Sequence, residues 1–209
     1  MTTVLYDYWR SSASYRVRIA LALKGISYTR VSVDLVKGEQ NSGSFKELNP
    51  QGLVPVLSID GVVLSQSLAI IEYLDEMHPN PPLLPDCPRG RAHVRALALA
   101  IACETHPTSN LKVLQRVENI AGAEARATWN RENISAGLEA FEELLNHPNF
   151  LGRFCYGSTP GVADCVLIPQ LYNATRWGVG YTHLSRITAV SKATTDLAAF
   201  QEASPEVNR

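Results

Sequence analysis

The sequence predicts a protein of two domains, an α/β domain over residues 1–82 and an all-α domain over residues 83–209. The first has the order β-α-β-α-β-β-α and a mixed sheet, because a strand–helix–strand unit precedes a hairpin whose turn is Asp60-Gly61. A proline-rich segment over residues 78–85 then interrupts the chain. Beyond this segment, apolar residues recur with helical spacing only.

The amino-acid composition limits the classes of protein to which the chain can belong. The chain has 209 residues, of which 45% are hydrophobic, enough to bury one large core or two small ones. A net charge of -1 and a pI near 6.5 give no electrostatic reason to bind nucleic acid or an acidic membrane. The sequence begins without a signal-peptide pattern, and no apolar run is long enough to span a bilayer. We therefore expect a cytoplasmic protein with no nucleic-acid or membrane partner.

The cysteines do not predict a metal or redox site. Their spacing is neither Cys-x-x-Cys nor that of a zinc cluster with histidines. In a reducing compartment they are expected to be free thiols. The four are Cys87, Cys103, Cys155 and Cys165.

The first helix begins beside two serines. Ser11 and Ser12 follow the strand at residues 4–6 and precede an apolar stretch with helical spacing. One interpretation is that the serines only cap the helix. The other is that they and the exposed N–H groups of the first turn bind a carboxylate, a phosphate or a thiolate. This stretch alone favours the cap.

The remaining elements of the first domain follow from local signals. Residues 28–33 alternate and are rich in β-branched residues, which predicts a second strand parallel to the first. A short helix over residues 45–48 ends at Asn49-Pro50. Residues 53–64 predict the antiparallel hairpin, and helical spacing over residues 68–76 predicts a third helix.

Two short motifs adjoin these elements. Val54 precedes Pro55 at a strand entrance, where a cis bond would present the Val54 backbone to an extended peptide, whereas a trans bond is commoner in general. Gln66 and Ser67 open the third helix, where hydroxyl and amide groups again meet exposed N–H donors.

The second domain is predicted to be helical throughout. Pro107 should interrupt a first long helix just after His106. A central helix is apolar on all sides and is therefore expected to be buried. The predicted helices cover residues 91–103, 111–120, 124–145, 162–171 and 184–200.

The order of these landmarks resembles that of the cytosolic glutathione transferases, and in detail their zeta class, which includes maleylacetoacetate and maleylpyruvate isomerases. The similarity extends over nearly the whole chain. The motifs that carry it are Trp9-Arg10-Ser11-Ser12, Arg16 to Leu21, Leu48-Asn49-Pro50, Val54-Pro55, Gln66 to Leu74, His106-Pro107, Asn110-Leu111, Ala163-Asp164 and Val166 to Gln170.

The resemblance implies a thioredoxin-like first domain that binds glutathione, a helical second domain that binds substrate, and a homodimer. Ser11 and Ser12 would lie at the glutathione sulfur, and Val54 would pair with the peptide backbone. Gln66 and Ser67 would hold the γ-glutamyl carboxylate. Further glutathione and substrate contacts would come from Gln40, His106 and Asn110. His106 is also open to a purely structural role at the helix kink.

The implied reaction is cis-trans isomerisation of a maleyl keto acid, maleylacetoacetate to fumarylacetoacetate, in aromatic amino acid catabolism. Arg176 and Arg10 are the candidates that stabilise its developing negative charge, because a guanidinium binds a carboxylate bidentately. Three alternatives remain: maleylpyruvate isomerisation, conjugation or dehalogenation of small electrophiles, and a non-catalytic glutathione-binding role. The sequence departs from the family at Ala13, where a cysteine is usual, and at Gly161, where a serine or threonine caps a helix.

Overall fold

The computed structural model describes residues 2–209, which form two compact units. One contains the chain up to Leu83 together with Leu197–Arg209, and the other is Leu84–Asp196. Among the described residues, no helix is both long and apolar enough to cross a membrane.

The first unit is built on a mixed four-stranded sheet in the order β2-β1-β3-β4. β1 pairs in parallel with β2, and Tyr6 lies opposite Val31 in that pair. The β1–β3 and β3–β4 pairs are antiparallel, which confirms the predicted topology. The strands are β1 Val4–Asp7, β2 Thr29–Ser32, β3 Val56–Ile59 and β4 Val62–Ser65.

Three helices connect or follow these strands: α1 Ser12–Leu23, α2 Gly43–Leu48 and α3 Ser67–Met77. α1 is buried along a continuous run of eight residues from Ser14 to Leu21, so it is covered on every side. Gly25 follows the end of α1 with φ 65°, a conformation that glycine adopts without a Cβ clash.

The second unit is helical, as predicted. Its helices are α4 Pro88–Leu99, α5 His106–Thr108, α6 Leu111–Leu144, α7 Val162–Arg176 and α8 Ser185–Thr195. A π-helical turn, Ala100–Thr105, joins α4 to α5, so the helix has a wider turn just before Pro107. The helix ends at Thr108, and Ser109 is its C-cap residue. The two helices predicted over residues 111–145 meet at Gly122, whose φ of 87° is not helical.

The predicted last helix is divided in the structure. α8 ends at Thr195, and α9 spans Ala198–Glu202. The segment from Leu197 onward groups with the first unit, whereas the predicted division at residues 82 and 83 assigns it to the second domain. The reason is a set of long-range hydrogen bonds to α1. Arg18 Nε donates to the Ala203 carbonyl at 2.9 Å, and the Tyr15 hydroxyl donates to the Phe200 carbonyl at 3.4 Å.

A buried ion pair joins the sheet to α1. Asp7 and Arg18 are both fully buried, and Arg18 Nη1 donates to both Asp7 carboxylate oxygens at 2.8 Å. Arg18 Nη2 donates to the Trp9 carbonyl at 2.9 Å. Each charge therefore keeps polar partners in the core, as buried charges require.

α7 is the buried central helix of the second unit, and Asp164 fixes its start. The Asp164 carboxylate accepts from the Cys155 N–H at 2.8 Å and from the Gly161 N–H at 2.9 Å. Gly161 is the N-cap residue, and without a side chain it supplies only half of a capping box. Burial raises the pKa of Asp164 to about 6, although the backbone donors oppose this shift.

We expect the Asp164 carboxyl to titrate near pH 6 in a carbon-13 NMR titration. The folded state then holds a proton that the unfolded state has lost between about pH 4 and 6, so the free energy of unfolding falls as the pH rises through that window. The contribution is about 3 kcal/mol. The comparison is Asp34, a partly exposed carboxyl whose pKa is lowered by the Lys37 N–H. A midpoint for Asp164 at or below pH 4 would contradict the assignment.

Candidate active site

The start of α1 confirms that Ser11 caps the helix and is compatible with a ligand role for its hydroxyl. Ser11 is the N-cap, with φ -67° and ψ 120°, and its Oγ accepts from the Ser14 N–H at 3.2 Å. Because the oxygen is the acceptor in that bond, the hydroxyl hydrogen remains available to a ligand. The Ser11 N–H donates to the Tyr8 carbonyl at 2.9 Å, which fixes the turn between β1 and α1.

The first turn of α1 is suited to negative charge. Ser12 and Ala13 are half-buried first-turn residues, and N–H groups at these positions have no acceptor within a helix. The first turn contains no acidic side chain. The helix dipole and these donors therefore favour an anion beside Ser11. Ala13 contributes no thiol there.

Val54 lies in a loop that Asn49 organises. The Asn49 amide nitrogen donates to the Leu53 carbonyl at 2.8 Å, and its side-chain oxygen accepts from the Gln51 N–H at 3.1 Å. The Val54–Pro55 peptide bond is cis, the less common of the two alternatives considered. The Val54 side chain packs in one core cluster with Tyr8, so the loop is anchored close to the turn before α1.

Gln40 lies in a short 3-10 turn, Glu39–Asn41, that packs on the same loop. Gly52 has φ 63°, and a Cβ at this position would lie 3.0 Å from the Gln40 carbonyl oxygen. Glycine is therefore required both by its dihedral angle and by this close approach. The Gln40 side-chain oxygen is buried and has no hydrogen-bond partner within residues 2–209.

Gln66 and Ser67 form the start of α3. Gln66 has φ 70° and ψ 112°, a strained conformation for a residue with a Cβ and one that is common at ligand sites. Its amide nitrogen donates to the Gln51 side chain at 2.8 Å. The Ser67 oxygen accepts from Arg16 Nη1 at 3.2 Å. Arginine only donates, so this bond leaves the Ser67 hydroxyl hydrogen for another acceptor.

Several predicted residues of the first unit are thus connected through neighbouring residues. Arg16 ties α1 to Ser67, Gln51 ties the Val54 loop to Gln66, and Gly52 ties that loop to Gln40. Sequence reasoning assigned no role to Arg16 or to Gln51. Arg16 belongs to a motif of the resemblance, but neither contact was predictable, because each joins positions that are distant along the chain.

Three predicted residues lie in the second unit. His106 is half-buried at the start of α5, and Asn110 is the N-cap of α6, where its Oδ1 accepts from the Lys112 N–H at 3.3 Å. Arg176 is exposed in the last turn of α7, and its Nη1 lies 3.5 Å from the Asn173 side-chain oxygen. His106 thus lies where the π-helical turn meets α5, and the helix continues through Pro107 to Thr108 instead of breaking just after His106 as predicted. Arg176 is exposed to solvent.

Arg10 lies beside the aromatic residues that precede Ser11. Its guanidinium carbon is 5.3 Å from the centre of the Trp9 ring and 5.9 Å from that of Tyr8. Such contacts hold a cation without neutralising it. Arg10 therefore adds positive charge next to the N-terminus of α1.

Comparison with known proteins places this arrangement in a family. Residues 1–76 match the model of the glutathione S-transferase N-terminal domain. The chain is 50% identical over 206 residues to a maleylacetoacetate isomerase of Rhizobium meliloti, covering 98% of this chain and 96% of the relative.

Two solved structures are also similar. One is a holo maleylpyruvate isomerase described as a bacterial zeta-class glutathione transferase, with a TM-score of 0.94 and 45% identity over 98% of this chain and 97% of the other. The second is a maleylacetoacetate isomerase of Anaeromyxobacter dehalogenans with bound glutathione, with a TM-score of 0.89 and 42% identity over 99% and 96% of the two chains. The chain belongs to the glutathione transferase family, in the zeta-class group that contains the maleylacetoacetate and maleylpyruvate isomerases.

Proposed function

We propose that the protein is a glutathione-dependent cis-trans isomerase of a maleyl keto acid and converts maleylacetoacetate to fumarylacetoacetate in aromatic amino acid catabolism. The observation that carries this proposal is the Ser11 hydroxyl, which accepts the Ser14 N–H and keeps its own hydrogen for a ligand at the start of α1. The relatives named as isomerases support the choice of reaction.

The residues of the first unit fit glutathione. Ser11, Ser12 and the first-turn N–H groups of α1 suit its sulfur, and the Val54 backbone suits its extended peptide. Ser67 suits the γ-glutamyl carboxylate, since α3 offers a helix N-terminus and Arg16 turns the Ser67 hydroxyl hydrogen toward another acceptor. We assign Gln66 to the same carboxylate, and the remaining glutathione and substrate contacts to Gln40, His106 and Asn110.

When bound, glutathione supplies a thiolate that adds reversibly to the cis double bond and is released after the bond has rotated. Ser11 and the start of α1 stabilise negative charge on the sulfur, which lowers a thiol pKa from about 8.5 toward neutral pH. Arg10 and Arg176 bind carboxylates and stabilise the negative charge that develops on the carbonyl oxygen.

A second candidate substrate is maleylpyruvate, because one of the similar solved structures is a maleylpyruvate isomerase. Maleylpyruvate and maleylacetone should therefore be assayed side by side, with and without glutathione. The proposal requires glutathione-dependent formation of the trans isomer from at least one of them. Failure to convert either would contradict it and favour a conjugating transferase or a binding protein.

We further propose that the protein is a cytoplasmic homodimer. The support for the compartment is that all four cysteines are free thiols, with Cys155 and Cys165 buried in the second unit. The support for the dimer is that this state is consistent with the family. Light scattering should give about twice the chain mass of 22.9 kDa, and a mass equal to one chain would contradict the dimer.

A further inference from the structure

Two arginines lie on the same tryptophan ring beside Ser11. The guanidinium carbon of Arg10 is 5.3 Å from the centre of the Trp9 ring, and that of Arg209 is 5.4 Å from it. The two arginines are 199 positions apart in the sequence, so no local pattern brings them together. All three residues belong to the first unit.

A set of hydrogen bonds holds Arg209 close to Trp9. The residue before it, Asn208, accepts from Arg30 Nη1 through its carbonyl. Its side chain donates to the carbonyls of Glu202 at 2.7 Å and Ser204 at 2.9 Å. The segment is tied further to α1 by the bond from Arg18 to Ala203. These bonds fix the backbone next to Arg209, so its side chain is held near Trp9.

Two positively charged side chains lie against the Trp9 ring. In the part of the chain that the structure describes, neither Arg10 nor Arg209 forms an ion pair with a carboxylate. The start of α1 adds the positive end of a helix dipole next to them, with no acidic side chain in its first turn. Both guanidiniums attract a bound anion. A planar carboxylate suits two guanidiniums because each offers parallel donors.

We propose that Arg209 acts with Arg10 to bind a ligand carboxylate at the side of Ser11. This inference rests on the proposed function, because the ligands there carry the carboxylates. The carboxylate belongs either to the maleyl keto acid or to the glycyl end of glutathione. Trp9 serves as the platform that holds both arginines.

The test is a binding titration by calorimetry on the full chain. Fumarate, the simplest trans dicarboxylate, is titrated into the protein saturated with glutathione, and glutathione is titrated into the free protein. Arg209→Gln should raise one of the two dissociation constants about tenfold, and Arg209→Lys, which keeps the charge but loses the planar fork, should have a smaller effect. The matched control is Arg153→Gln, because Arg153 lies over the Phe154 ring at 5.4 Å in the second unit.

The two titrations distinguish the sources of the carboxylate. A weaker affinity for fumarate assigns the pair to the substrate, and a weaker affinity for glutathione assigns it to the glycyl end; both results support the inference. If Arg209→Gln changes neither affinity more than Arg153→Gln does, the inference is overturned. The calorimetry measures binding without turnover. A failed isomerase assay on the wild-type protein would therefore refute the proposed function without changing the binding result for Arg209→Gln.

Discussion

Replacing Ser11 with alanine should lower kcat/KM for maleylacetone by at least about 100-fold. The variant loses a donor aimed at developing negative charge, and the loss of one such donor costs 10²–10³ in rate in other enzymes. Steady-state kinetics at saturating glutathione measures the effect. Ser11 also caps α1 through the Ser14 N–H, so the loss of a cap must be separated from the loss of chemistry.

Ser42→Ala provides that separation. Ser42 caps α2 in the same way, accepting from the Phe45 N–H at 3.3 Å. Each substitution should reduce the free energy of unfolding by about 1 kcal/mol, but only Ser11→Ala should abolish most of the activity. If the two variants keep similar rates, Ser11 has no part in the mechanism beyond capping.

Replacing Arg18 with methionine should give the largest loss of stability, about 3–5 kcal/mol in the free energy of unfolding. The substitution leaves the buried Asp7 carboxylate without its cation and removes the donors to the carbonyls of Trp9 and Ala203. Urea denaturation followed by circular dichroism measures the change. The substitution should also loosen the segment that begins at Leu197, since Arg18 holds that segment through its hydrogen bond to the Ala203 carbonyl.

A surface pair serves as the control for Arg18. Lys37 Nζ lies 3.7 Å from the Asp34 carboxylate, and the Lys37 side chain is 75% exposed. Lys37→Met should therefore cost less than about 1 kcal/mol. The double variant Asp7→Leu with Arg18→Met should recover part of the loss, because no buried charge is then left unpaired. Equal stability of the Arg18 and Lys37 variants would refute the structural role of the buried pair.

Much of the fold follows from local chemistry. The mixed sheet, the serine cap of α1 and the hairpin at Asp60-Gly61 were all predictable, because turn residues and periodicity act over short distances. The break between α8 and α9 was not. No proline or glycine marks it, and α9 is held by α1 residues 185 positions away, through Tyr15 and Arg18.

The residues of the candidate site also fall into those that the sequence predicts and those that it does not. Ser11, Val54, Gln66 and Ser67 lie at element termini, where unpaired backbone groups identify them in the sequence. The side chains that orient them are invisible to such reasoning, because Arg16 reads as one more residue of an apolar helix until the fold brings it within 3.2 Å of Ser67. Arg209 is a second example, since its contact with Trp9 spans nearly the whole chain.

The central claim is that glutathione is regenerated in each turnover. The most direct measurement is the glutathione balance during conversion of maleylacetone, with free thiol and the trans product quantified in the same samples. The account predicts that many equivalents of trans product form while the glutathione concentration stays constant. Loss of one glutathione for each molecule of substrate converted would contradict it and identify the protein as a conjugating transferase.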